Sequence, residues 1–86
     1  MPDINSLTTT RCQRTHERTV HGELPPPKGA KLWVGNGTGM SSCNGCEEKI
    51  ANNEREYELV FSEAVALFFH TECFSTWTDV TAVKRA

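Results

Sequence analysis

The chain has 86 residues, of which 37% are hydrophobic and seven aromatic, enough for one small domain and no more. A core of that size supplies roughly 3–5 kcal/mol, so a domain this short needs a staple: disulfides, a metal or a partner. The net charge of −2 excludes a uniformly basic nucleic-acid binder, and no apolar stretch approaches a membrane span or the h-region of a signal peptide.

Residues 1–27 open the chain. Met1 to Val20 reads MPDINSLTTTRCQRTHERTV, polar and threonine-rich, with Leu7 and Val20 as isolated apolar positions. No apolar period of 3.6 or 2 runs through it, so a disordered or weakly ordered arm is expected. Pro25, Pro26 and Pro27 stiffen the chain at its end and mark the boundary to a single module over 28–86.

Lys31 to Val34 is a short strand candidate, followed by Gly35, Gly37 and Gly39. The glycine run lacks the Lys-Ser/Thr offset of a phosphate loop and the third glycine and helix of a dinucleotide fingerprint. It reads instead as a tight, irregular approach to the cysteines that follow. Glu54 to Phe61 alternates, with Tyr57, Leu59 and Phe61 on one face, and Ala64 to Phe69 can return as a second strand after a turn at Ser62 and Glu63. That turn lacks the favoured Gly or Asn, which leaves a helix starting at Ser62 as the rival. Beyond His70, the residues Cys73, Trp77, Val80 and Lys84 recur at helical spacing, which predicts a helix from about Thr71 to Val83. Thr76, Thr78 and Thr81 work against it, and anchoring by Phe74, Trp77 and a metal has to overcome them.

Charge is unevenly spread. Residues 1–31 carry Arg11, Arg14, Arg18, Lys28 and Lys31 against Asp3, Glu17 and Glu23, whereas residues 47–72 carry seven acids against Lys49 and Arg55. The acidic half repels phosphate.

The chemistry lies in Cys43-Asn44-Gly45-Cys46 and, twenty-three residues later, His70-Thr71-Glu72-Cys73. Two cysteines separated by two residues turn back on one ion, and Gly45 eases the bend. His70 and Cys73 at i and i+3 project from the first turn of a helix toward the same point. Cys43, Cys46, His70 and Cys73 form a Cys3His set, which thiolate softness directs to zinc. With all four tetrahedral positions filled by protein, one structural Zn2+ is expected and no enzymatic activity. Two disulfides are the competing use of four cysteines, but the absence of a leader sequence points to a reducing cytoplasm. Cys12, with His16 at C-x-x-x-H spacing and His21 nearby, finds no fourth ligand and reads as a free thiol.

The run C-x-x-C-x-x-x-I (Cys43 to Ile50) followed by H-x-x-C-F (His70 to Phe74) resembles the first zinc half of LIM domains over residues 43–77. Ser75 stands where the second zinc site would begin, and no further cysteine follows, so the likeness is to a single-zinc relative. It is also similar to short, uncharacterised bacterial zinc-binding proteins with the same C-x-x-C, F-H-x-x-C and following Trp. The resemblance implies a small α+β, zinc-stabilised, treble-clef-like domain (zinc knuckle, β-hairpin, C-terminal helix) with a flexible N-terminal arm. Such modules serve as non-enzymatic protein-interaction or adaptor elements, with Trp33, Tyr57 and Trp77 as candidate anchors here. The alternative is a zinc-finger-like nucleic-acid-binding protein that uses the basic arm.

Overall fold

The computed structural model describes the backbone of residues 4–85 and the side chains of residues 10–81. Five elements follow one another: α1 (Ile4–Val20), β1 (Lys31–Asn36), β2 (Arg55–Ser62), β3 (Val65–Phe69) and α2 (Thr71–Arg85). The result is a small α+β fold in which a three-stranded antiparallel sheet, ordered β1-β2-β3, carries two helices.

The largest departure from the sequence reading is α1. The expected weakly ordered arm is a 17-residue helix over most of its length, and residues 1–3 lie outside those described. The helix packs along α2, and among its described side chains the packing stripe is polar: Thr15 and Thr19, four apart, are buried, and Arg11 lies one turn before them. Each buried hydroxyl bonds to the carbonyl four residues back, Thr15 to Arg11 and Thr19 to Thr15, so burying them leaves no orphan donor. The helix ends at Gly22, whose φ of 77° lets Glu23 N–H reach the Arg18 carbonyl and Gly22 N–H the Thr19 carbonyl, a Schellman closure. The chain then buries Leu24, and the Pro25 carbonyl accepts from Trp77 Nε1 at 2.9 Å, so the start of the proline run is docked on α2.

The strands fall close to their expected places. β2 and β3 form the hairpin, pairing Tyr57 with Phe69 and Leu59 with Leu67. The turn is Glu63-Ala64, one residue later than expected, with the Ser62 hydroxyl accepting the Ala64 N–H. Neither turn residue has a positive φ, and the register shift between Val60 and Ser62 supplies the twist that a Gly- or Asn-containing turn would otherwise give. β1 is longer than expected, running through Gly35 to Asn36, and it pairs with β2 from Lys31↔Val60 to Asn36↔Arg55.

α2 begins at Thr71, as the spacing predicts. Its threonines repeat the device seen in α1: Thr76, Thr78 and Thr81 bond to the carbonyls of Glu72, Phe74 and Trp77. Trp77 is wholly buried and stacks on Phe69 at 4.7 Å, while Phe74 stacks on Tyr57 at 4.7 Å. The buried apolar core consists of Leu24, Ile50, Leu59, Phe69 and Trp77 with Cys43, Cys46 and Cys73. Three of its eight members are thus cysteines, which places their cluster at the centre of the core.

Candidate metal centre

Cys43 and Cys46 sit on a turn closed by Cys43 N–H to the Glu48 carbonyl (2.8 Å) and Glu47 N–H to the Cys43 carbonyl (2.9 Å). The Gly45 N–H points at Cys43 Sγ from 3.3 Å, the kind of donor that offsets thiolate charge. Glu47, directly after the second cysteine, has a left-handed backbone at φ 69°. Asn44 fastens the turn to the sheet: its N–H donates to the Phe68 carbonyl and its Oδ1 accepts the Phe68 N–H. That carries the knuckle to the strand that ends one residue before His70.

The structure brings Cys43, Cys46, His70 and Cys73 into one group whose ligand atoms all lie within 4.8 Å of one another, and all four residues are buried. His70 Nδ1 is 3.3 Å from Cys46 Sγ and 3.9 Å from Cys73 Sγ. An ion held at about 2.3 Å by sulfur and about 2.0 Å by nitrogen needs donor separations of roughly 3.5–3.8 Å, so the set fits one tetrahedral ion with a small adjustment. All four cysteines are free thiols, so none is committed to a disulfide. Cys12 is half-buried on α1, with its Sγ 3.8 Å from the Glu72 carbonyl, and belongs to no metal-binding group among the described residues. His16 and His21 are exposed.

The electrostatics of the cluster suit a cation. Hydrogen bonds from Cys46 and Cys73 hold the Cys43 thiol far below its usual range, against the effect of burial. The Cys73 thiol is pushed far up by the sulfurs of Cys43 and Cys46 and by burial, with the Thr15 hydroxyl acting the other way. Burial alone would lower His70, but hydrogen bonds and charge from Cys43 and Cys46 raise it to about 10. The group therefore gathers negative charge at its centre and holds protons that a divalent ion can displace.

The second ring of contacts was not legible in the ligand motif. With Nδ1 turned to the sulfurs, His70 Nε2 lies 3.2 Å from the Lys49 carbonyl and 3.5 Å from Glu54 Oε1, the partners that fix the orientation of a ligating imidazole. The same Glu54 oxygen accepts the Ala51 N–H, and its other oxygen accepts from Arg11 Nη1 at 2.9 Å. Burial would raise the Glu54 carboxyl, yet the Ala51 amide and the Arg11 guanidinium keep it below the ordinary value. Arg11 also meets Glu72 (2.9 Å) and Glu48 (3.4 Å). Arg14 and Arg18 donate to the carbonyls of Cys46 and Asn44 on the knuckle itself. The basic segment is therefore bound to the acidic half that carries the candidate metal site. The helical spacing of Arg11, Arg14 and Arg18 was the available signal for it.

No helix among the described residues is long and apolar enough to cross a membrane. No protein family, curated protein or solved structure matches the chain.

Proposed function

We propose that the chain is a non-enzymatic module built around one structural zinc ion, treble-clef-like in arrangement, that works in the cytoplasm by engaging a protein partner. The observation that carries the reading is the completeness and burial of the ligand set. Four protein ligands, each at most 1% exposed, satisfy a tetrahedral ion and leave no coordination position for water or substrate. Bound there, zinc supplies cross-linking between the knuckle and the start of α2, not activation of a nucleophile. The order of knuckle, β2–β3 hairpin and ligand-bearing helix supports the treble-clef reading.

The interaction role is supported by the placement of the aromatic residues. Trp77 is buried and Tyr57 half-buried, whereas Trp33 is 63% exposed. An exposed Trp is the residue type that most often anchors a protein interface. The nucleic-acid reading is weakened, because Arg11, Arg14 and Arg18, which it needs for phosphates, face Glu48, Glu54, Glu72, Glu23 and Glu47.

Cobalt substitution tests the metal assignment: three thiolates and one imidazole give intense charge-transfer bands with tetrahedral d–d transitions. An octahedral spectrum, or a purified chain without metal, defeats it. Capture of partners by the intact protein and by Trp33→Ala tests the role, and equal capture by both removes Trp33 from the interface.

A further inference from the structure

We propose that β1 is a pairing edge for a second copy of this chain, joining two three-stranded sheets into one six-stranded sheet about a two-fold axis at Trp33. This rests on the reading above of the chain as a zinc-organised interaction module, and it names the partner.

The two edges of the sheet differ. At the β3 edge, Asn44 occupies both backbone groups of Phe68. The β1 edge is bare along its whole length: all six residues are exposed, with Leu32 at 46% and Val34 at 45%. It carries no proline and no bulge, and Lys31 is its one charge, so it lacks most of the devices that keep edges from pairing. The Gly37 N–H donates to the Glu54 carbonyl in register with the ladder. Alternation then directs the odd-numbered residues of β1 toward β2 and turns the N–H and C=O groups of Leu32, Val34 and Asn36 outward.

Those outward groups are self-complementary. An antiparallel pairing centred on Trp33 sets Leu32 against the partner copy's Val34 as a hydrogen-bonded pair on each side of the axis. It brings the two copies of Trp33 together in a non-bonded pair, where side chains approach closest. The register also matches charge. Lys31, Trp33 and Gly35 share a sheet face with Glu56, which is paired with Gly35. In the dimer Lys31 lies opposite Gly35 of the other copy, with Glu56 one strand further on, about 10 Å between backbones and within reach of the two side chains. Nothing lies within 4 Å of where a Cβ would stand at Gly35, so the way is open. Glu56 Oε1 is shielded from solvent and has no hydrogen-bond partner, and Lys31 forms no ion pair among the described residues. One contact, made twice by symmetry, satisfies both.

Sedimentation velocity on the full zinc-loaded chain over a concentration series tests this, with zinc content and NMR dispersion recorded for every sample. The wild type is expected to show a concentration-dependent monomer–dimer equilibrium. Lys31→Glu and Glu56→Lys each place like charges at both contacts and are expected to raise the dimer dissociation constant about tenfold or more. An equimolar mixture of the two variants pairs opposite charges at both contacts and is expected to recover wild-type dimerisation. Val34→Pro, which removes an outward N–H and leaves the β1–β2 ladder intact, should abolish the dimer. A folded, zinc-loaded wild type that stays monomeric at its highest soluble concentration overturns the pairing edge and leaves the zinc module standing. A dimer indifferent to these substitutions, or a mixture no better than its components, overturns it as well. A wild type that binds no zinc sinks both readings.

Discussion

Thr15 of α1 closes on Gly45 of the knuckle so tightly that a Cβ at position 45 would collide with the Thr15 hydroxyl and stand 2.9 Å from its methyl group. Both residues are buried, and Thr15 is β-branched in a helix, where its side chain has little freedom to move aside. Gly45→Ala is therefore expected to cost about 1–3 kcal/mol by overpacking, read from urea unfolding of the zinc-loaded protein. Thr15→Ala in the same chain removes both colliding atoms. The double variant should be more stable than the sum of the two single effects predicts. Strict additivity would mean that the helix does not rest on the knuckle.

That contact also explains what was legible in the sequence. The ligand set, the hairpin and α2 were readable because each carries its own local signal: cysteine spacing, period-two alternation in EREYELVF, and Cys73 and Trp77 four apart. α1 was not, because the buried positions among its described side chains are Thr15 and Thr19, with the half-buried Arg11 one turn before, and a search for apolar periodicity passes over them. Two other signals pointed to it. Gly22 marks a helix stop, and Arg11, Arg14 and Arg18 recur at i, i+3 and i+7, one cationic stripe. The opposed charge of the two halves was visible, but charge counts do not say that one half neutralises the other.

Arg11, whose side chain is only 13% exposed, draws Glu48, Glu54 and Glu72 to one guanidinium. Arg11→Met keeps the apolar stem and leaves three carboxylates facing one another. The expected loss is about 2–3 kcal/mol, since hydrogen bonds to charged groups are worth about 1.5–3 kcal/mol each and the carboxylates regain water in part. Glu54→Gln tests the inner link. It preserves shape but weakens the support of His70 Nε2, and zinc affinity in a competition assay should fall about 10- to 100-fold. An unchanged affinity would show that the Lys49 carbonyl alone holds the imidazole.

Glu47 offers a gain in stability. Its φ of 69° is left-handed, a conformation that costs a residue with a Cβ roughly 1–2 kcal/mol relative to glycine. Its side chain is 74% exposed and reaches Arg18 only at 3.9 Å, so little is lost with it. Glu47→Gly should stabilise the zinc-loaded protein by about 0.5–1 kcal/mol, after the greater freedom of glycine in the unfolded chain is counted. A loss of stability would show that the Arg18 contact outweighs the backbone strain.

Removal of the metal should unfold the whole chain, not the knuckle alone. Zinc binding contributes about 10–16 kcal/mol at neutral pH, several times what a core with three cysteines among its eight members can supply. Among its described side chains α1 adds no apolar residue to the core, and it rests on Gly45, on the Cys73 thiol and on carboxylates that surround the site. Chelation should therefore erase the helical circular dichroism of α1 together with the NMR dispersion of residues 31–83. Persistent dispersion would defeat the idea. Acid should act in the same direction. His70, raised to about 10, and Cys73, raised far above the usual thiol range, both carry protons at neutral pH when no ion competes, and zinc must displace them. Protons thus oppose the metal at every pH below these values. Apparent affinity should weaken by about tenfold or more for each unit the pH falls, and calorimetry in buffers of different ionisation enthalpy should register proton release on zinc uptake. Uptake without proton release would place the ion on groups other than His70 and Cys73.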